Sequence, residues 1–198
     1  KFAVSSKDNA KIITIRKLLI KCNNVFQEKT SVRASCGIRI IGSNCNNCYS
    51  GTKIYPIEES ENTTLEKVNK KIKSFWNNFI LSDISVNLQA STFGELDALY
   101  QVINHEKIPI MNLQLKKLQD KDIIRVQTRT ENIKDKEYKC LLYFGDITSK
   151  ELNKFTKLSK DRGPHSEVKI LHSKVIYDLL EQYKKFKTLC LEERRKNQ

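Results

Sequence analysis

The chain has 198 residues, 39% hydrophobic and 30% charged, with a net charge of +13. That is a globular composition, long enough for one large domain or two small ones. No apolar run approaches the roughly 18 residues a membrane span needs and the N-terminus lacks signal-peptide order, so the expectation is a soluble, untargeted piece, and a first residue of Lys1 points to an excised one.

Six cysteines at irregular spacing are too sparse for a disulfide scaffold and read as free thiols of a reducing compartment. The charge is uneven. Residues 1–57 hold ten basic side chains against Asp8 and Glu28, a net of +8, which leaves +5 for the rest. A basic third supplies the phosphate neutralisation an RNA-facing surface needs. The competing explanation is compositional: 28 lysines against eight arginines, with much Asn and Ile, would also follow from genomic base content.

In chain order, residues 1–57 read as short strands and turns. Ile12, Ile13, Ile15, Leu18, Leu19 and Ile20 form a β-prone run, Gly37 to Gly42 a strand between glycines, and Ser50-Gly51-Thr52 a turn into Lys53–Ile57. These strands are too few to close a barrel, so edges would stay unpaired unless covered. The acidic stretch from Glu58 to Asn62 marks the expected domain boundary. Thr63 with Glu66 then has the spacing of a capping box, and Leu65, Val68, Ile72, Phe75, Trp76, Phe79 and Ile80 follow at helical spacing.

Ile84, Val86, Leu88 and Ala90 alternate as a strand that runs into a second capping box, Thr92 with Glu95, and a helix with Phe93, Leu96, Leu99, Tyr100 and Ile103 inside. A strand over Ile108 to Leu115 and a weaker helix over residues 117–129 come next. Tyr138 to Phe144 is nearly all apolar, as expected of a strand covered on both faces. Thr148 and Glu151 cap a helix that Gly163-Pro164 is expected to stop. Val168 to Leu171 reads as the last strand. The final helix carries Val175 to Cys190 at helical spacing and then turns polar all round at Glu192 to Lys196, as a helix projecting into solvent or bridging to another domain would.

Strands alternating with helices predict a mostly parallel four-stranded sheet in a three-layer α/β/α sandwich. The fold class is thus α/β, with a partial β-barrel over residues 1–57, the sandwich over 58–186 and a long helix beginning at 187.

Catalytic motifs are missing from the pattern. No glycine cluster precedes Lys-Ser or Lys-Thr, so phosphates are not cradled by that route. Cys45 and Cys48 have redox or metal spacing, but Cys36 is the only further ligand in reach and a structural zinc needs four; a turn between strands is the simpler reading, with an oxidoreductase as the outside alternative. His105, His165 and His172 have no nucleophile partner at a recognisable spacing. Trp76, with Phe75 and Phe79, reads as core. The expectation is a non-catalytic piece with no cofactor or metal of its own.

The stretch Val86-Asn87-Leu88-Gln89-Ala90-Ser91-Thr92-Phe93-Gly94-Glu95-Leu96-Asp97-Ala98-Leu99 resembles the strand-to-helix opening of the third domain in the translation initiation factor 2/5B family, with Glu95 where that family usually has Ser. Val168 to Leu179 resembles the same domain's last strand and following helix. Lys11 to Leu19 and Gly37 to Ile57 are similar to segments of the second domain, while the stretch from Lys21 to Thr30 is shorter than the family's loop and lacks its prolines. The matches run in the family's order, and the eukaryotic and archaeal 5B branch fits better than the bacterial one.

The resemblance implies the central region of such a factor: the end of domain II, domain III and the start of the linker helix. It further implies a cytoplasmic parent that joins ribosomal subunits and positions initiator tRNA, with GTP and Mg in a GTPase domain outside this chain, tRNA contact through a missing C-terminal domain, and other initiation factors as partners. On the barrel remnant it implies small-subunit rRNA contact, for which Arg16, Lys17, Lys21, Arg33 and Arg39 are the candidates. The alternative is a free-standing basic RNA-binding or adaptor module.

Overall fold

A computed structural model describes residues 1–4, 9–33, 36–45, 48, 52–57, 60–77, 79 and 81–196, without the side chains of Phe75 and Trp76. Two compact units result, Lys1–Phe79 and Ile80–Gln198.

The first unit is built on one long strand. β2 (Lys11–Cys22) pairs antiparallel with β1 (Phe2–Val4), β3 (Val25–Lys29) and β4 (Ile38–Ser43), and β1 pairs in turn with β5 (Ile54–Pro56). Asn23 and Asn24 both adopt positive φ, 47° and 64°, which lets a two-residue turn join β2 to β3. The stretch from Lys21 to Thr30, expected as a loop, is therefore largely a hairpin. β2 bulges at Arg16, where the pairing steps from Ile15 opposite Gly42 to Lys17 opposite Ile41. There the strands close in until any Cβ on Gly42 would collide with the Thr14 carbonyl, so only glycine fits.

Helix α1 (Glu61–Asn77) belongs to this unit. Its buried stripe, Val68 and Ile72, packs on Ala3 with Ala10, Ile12 and Tyr55 around it. This corrects the expected boundary at 58 and the placing of this helix in the sandwich: the short strands β1 and β5 cannot bury their own apolar side, and α1 supplies the cover. The expected cap shifts too. Ser60 Oγ accepts from the Thr63 amide at 3.1 Å, three residues ahead of the Thr63–Glu66 box.

The second unit is the predicted three-layer α/β/α sandwich. Its parallel sheet has the order β7 (Ile110–Leu115), β6 (Val86–Ala90), β8 (Cys140–Phe144), β9 (Lys169–Ser173). Helices α2 (Phe93–His105) and α5 (Ile176–Lys196) touch each other on one face, and α3 (Asp120–Thr130) and α4 (Ser149–Leu158) on the other. Leu141 and Tyr143 of β8 join the α3/α4 core with Leu118, Ile123, Val126, Phe155 and Val168. Cys140 and Leu142, alternating with them, face the opposite layer and are fully buried. Thr92 with Glu95 and Thr148 with Glu151 form the capping boxes that the spacing predicts.

Two details differ from expectation. α4 ends at Leu158, capped by Ser159, before Gly163 is reached. The helix expected to leave the sandwich at 187 stays on it: Cys190 is buried, and Arg194 bonds Glu137 and Asp135, each at 2.8 Å, beside the short 3-10 turn Lys136–Tyr138.

Candidate nucleic-acid interface

The pairing register decides which basic residues share a surface, because side chains alternate along a strand and opposed residues lie side by side. Beyond the bulge, Lys17 opposes Ile41, Leu19 opposes both Arg39 and Glu28, and Lys21 opposes Phe26. One face of this three-stranded ribbon thus carries Lys17, Lys21 and Arg39 around Phe26. The Arg39 guanidinium lies 5.3 Å from the Phe26 ring centroid, and Lys17 Nζ donates to Glu28 Oε2 at 2.8 Å. All five side chains are exposed, Phe26 at 47%.

An exposed aromatic ring within a basic patch combines a stacking surface with phosphate-binding charge. Of the other candidates, Arg16 is exposed at the bulge and Arg33 is exposed in the connection from β3 to β4. The register groups three of the five. The sequence pattern does not single out Phe26, because the stretch from Lys21 to Thr30 has the look of a loop; the signal for its strand is the Asn23-Asn24 pair, residues tolerant of positive φ.

The cysteine pair is a turn in which the Cys48 amide bonds the Cys45 carbonyl at 3.0 Å, while Asn46 and Asn47 lie outside the described residues. Partial burial and the neighbouring Cys45 push the Cys48 thiol up, opposite to the activated thiol of a redox pair. Among the described residues no group of three His, Cys, Asp or Glu side chains is placed to hold a metal ion, and no helix is long and apolar enough to cross a membrane.

In the second unit the histidines are placed as parts of the framework. His172 Nε2 lies 2.9 Å from the Gly145 carbonyl and stacks on Tyr143, while His105 and His165 are exposed at a helix end and in a loop. The expected turn around Gly51 and the cores proposed for Phe75 and Trp76 fall outside what is described. An open cleft of about 860 Å³ lies between the Lys139–Lys169 edge and the Phe186 and Leu189 side chains. Burial holds the Lys139 ammonium there below its ordinary value.

No family model matches the chain. Eukaryotic translation initiation factor 5B of Saccharomyces cerevisiae is 26% identical over 185 residues, 92% of this chain and 17% of that protein. A probable translation initiation factor IF-2 of Methanocorpusculum labreanum is 28% identical over 187 residues, 91% of this chain and 30% of its own. The chain therefore spans between a sixth and a third of the length of these relatives. The crystal structure of GDP-bound aIF5B from Aeropyrum pernix superposes with a TM-score of 0.69 over 99% of this chain and 33% of that one, at 19% identity, and so shares the fold. The homologues of this chain, over some nine-tenths of its length, are the translation initiation factors 5B and archaeal IF-2.

Proposed function

We propose that the chain is a ribosome-binding and relay module of an initiation factor, corresponding to the end of domain II, domain III and the start of the linker helix. In this reading the first unit meets small-subunit rRNA through the ribbon face, and the second unit passes movement to α5. Subunit joining, initiator tRNA positioning and GTP hydrolysis with Mg are then properties of the parent, and this piece is itself non-catalytic. The cytoplasm is where such a parent works.

One observation carries the reading. The register gathers Lys17, Lys21 and Arg39 around the exposed Phe26, within a unit that holds +8 of the total charge. Phosphate neutralisation by such a face would make binding fall steeply with salt.

The test is titration of purified small ribosomal subunits with the chain across a salt series. Replacing Lys17, Lys21 and Arg39 together by Glu is expected to weaken binding at least tenfold at physiological salt and to lower the salt slope by about two to three. Unchanged affinity and slope would refute the assignment of the ribbon. Equal salt-sensitive binding to any RNA would favour the free-standing basic module instead.

A further inference from the structure

Helix α1 carries more charge on its outer side than the fold can use. At helical spacing, Thr64, Val68 and Ile72 form its buried stripe, and Lys67, Lys70, Lys71 and Lys73 lie on the remaining circumference with Ser74 and Asn77. One carboxylate, Glu66, shares that side. Lys71 is held 4.7 Å from the Tyr55 ring centroid, and among the described residues Lys70 and Lys73 have no partner.

Two ordinary explanations for such lysines are not met. They sit in the middle of the helix, and the last turn, where cations offset the helix dipole, has no basic residue. They are not placed to form ion pairs along the helix with acidic residues, apart from Glu66. Like charges three and four residues apart destabilise a helix, so 67 with 70, 67 with 71 and 70 with 73 all act against folding. Lys70 and Lys73, which have no partner among the described residues, break that local rule and mark a functional surface.

We propose that the outer face of α1 is a second phosphate-backbone contact of the first unit, made to structured RNA. The face offers ammonium groups flanked by Ser74 and Asn77, the donor types that bind phosphate and sugar oxygens. The exposed side chains of this helix among the described residues are all polar or charged. This inference rests on the RNA-binding reading above and extends it from the β-ribbon to the helix.

The experiment compares Lys70→Gln/Lys73→Gln with Lys17→Gln/Lys21→Gln/Arg39→Gln in the full chain, using purified small ribosomal subunits and phosphatidylserine vesicles as probes. The α1 variant is expected to bind subunits about tenfold more weakly at physiological salt, with a salt slope lower by about one to two. Its melting temperature is expected to be equal or higher, since repulsion is relieved. Unchanged affinity and slope in the α1 variant, with loss in the ribbon variant, would overturn this inference and leave the ribbon assignment standing. No effect in either variant would overturn both. Loss of vesicle binding alone would overturn it in favour of a membrane surface.

Discussion

Asp122 is fully buried and has its charge answered from several sides, the more distant being Arg125 Nη1 at 3.8 Å. Gln114 Nε2 donates at 3.1 Å, Gln89 Nε2 at 3.3 Å and the Gln119 amide at 3.0 Å, and the Lys116 ammonium pairs with the same carboxylate. One side chain therefore ties the start of α3 to both β6 and β7. Asp122→Ala strands the buried Gln114 amide and takes the carboxylate from the partly buried Lys116 ammonium, while Gln89 keeps its 3.2 Å bond to the Lys116 carbonyl, and is expected to cost about 3 kcal/mol, read by urea denaturation; a loss below about 1 kcal/mol would contradict this account. Asn87 is equally buried, yet neither atom of its amide is bonded. Asn87→Leu is accordingly expected to leave stability unchanged or raise it in the same assay. Gly145 has φ of +146°, and a Cβ there would stand 2.8 Å from Ser91 Oγ, which shares a 2.8 Å hydrogen bond with the Tyr143 hydroxyl. The turn after β8 thus excludes other residues by conformation and by space.

At the scale of elements, what the sequence made legible followed from strong local signals. The alternation of β6, β7, β8 and β9 with helices, and the two boxes Thr92–Glu95 and Thr148–Glu151, each combine hydrophobic period with side-chain chemistry within a few residues. What was missed depends on distant partners. β1 is three residues long and takes its identity from pairing with Ile12, Ile13 and Tyr55. α1 has a helical period that does not say which sheet it covers, and Val68 and Ile72 find Ala3 only in the fold. The last turns of α5 read as free because Arg194 looks solvated; its partner Glu137, with only 5% of its side chain exposed, lies 57 residues away. Arg194→Ala leaves that carboxylate buried without its cation. It is expected to cost roughly 1 to 2 kcal/mol and to speed amide hydrogen exchange selectively over residues 191–196; unchanged exchange there would show that the pair does not hold the helix.

Over the whole molecule, charge and ionisation are divided between the units. The first unit carries the basic excess and the exposed ribbon, while the second holds the buried ionisable groups. Burial pushes the Cys140 thiol and the Tyr143 and Tyr183 hydroxyls up from ordinary values of 9.0 and 10.0. A group whose folded value is raised stabilises fully below its unfolded value and loses that contribution as pH rises past it. Stability of the second unit is thus expected to fall above about pH 9, as the unfolded chain gains ionised thiols and phenols that the fold cannot accept. The opposite sign applies to Glu106, Asp146, Glu151 and Glu181, held below ordinary values by hydrogen bonds from Lys184, Lys174, Thr148 and Lys185 respectively. Their contribution is present above ordinary carboxylate values and is lost in acid. All four lie at the surface, where solvent screens their pairs, so the acid limb is expected to be shallow beside the alkaline one in a pH series of melting curves.

The central claim is that the ribbon face of the first unit meets small-subunit rRNA, and site-specific photo-crosslinking tests it most directly. A photoreactive phenylalanine analogue at position 26 is expected to crosslink to small-subunit rRNA in a complex with purified subunits, and the same analogue at Tyr177, an exposed position in the second unit, serves as the comparison. Position 26 crosslinking to rRNA well above position 177 is the predicted result; equal yields at both, or none at position 26 under conditions where the chain is bound, would contradict it.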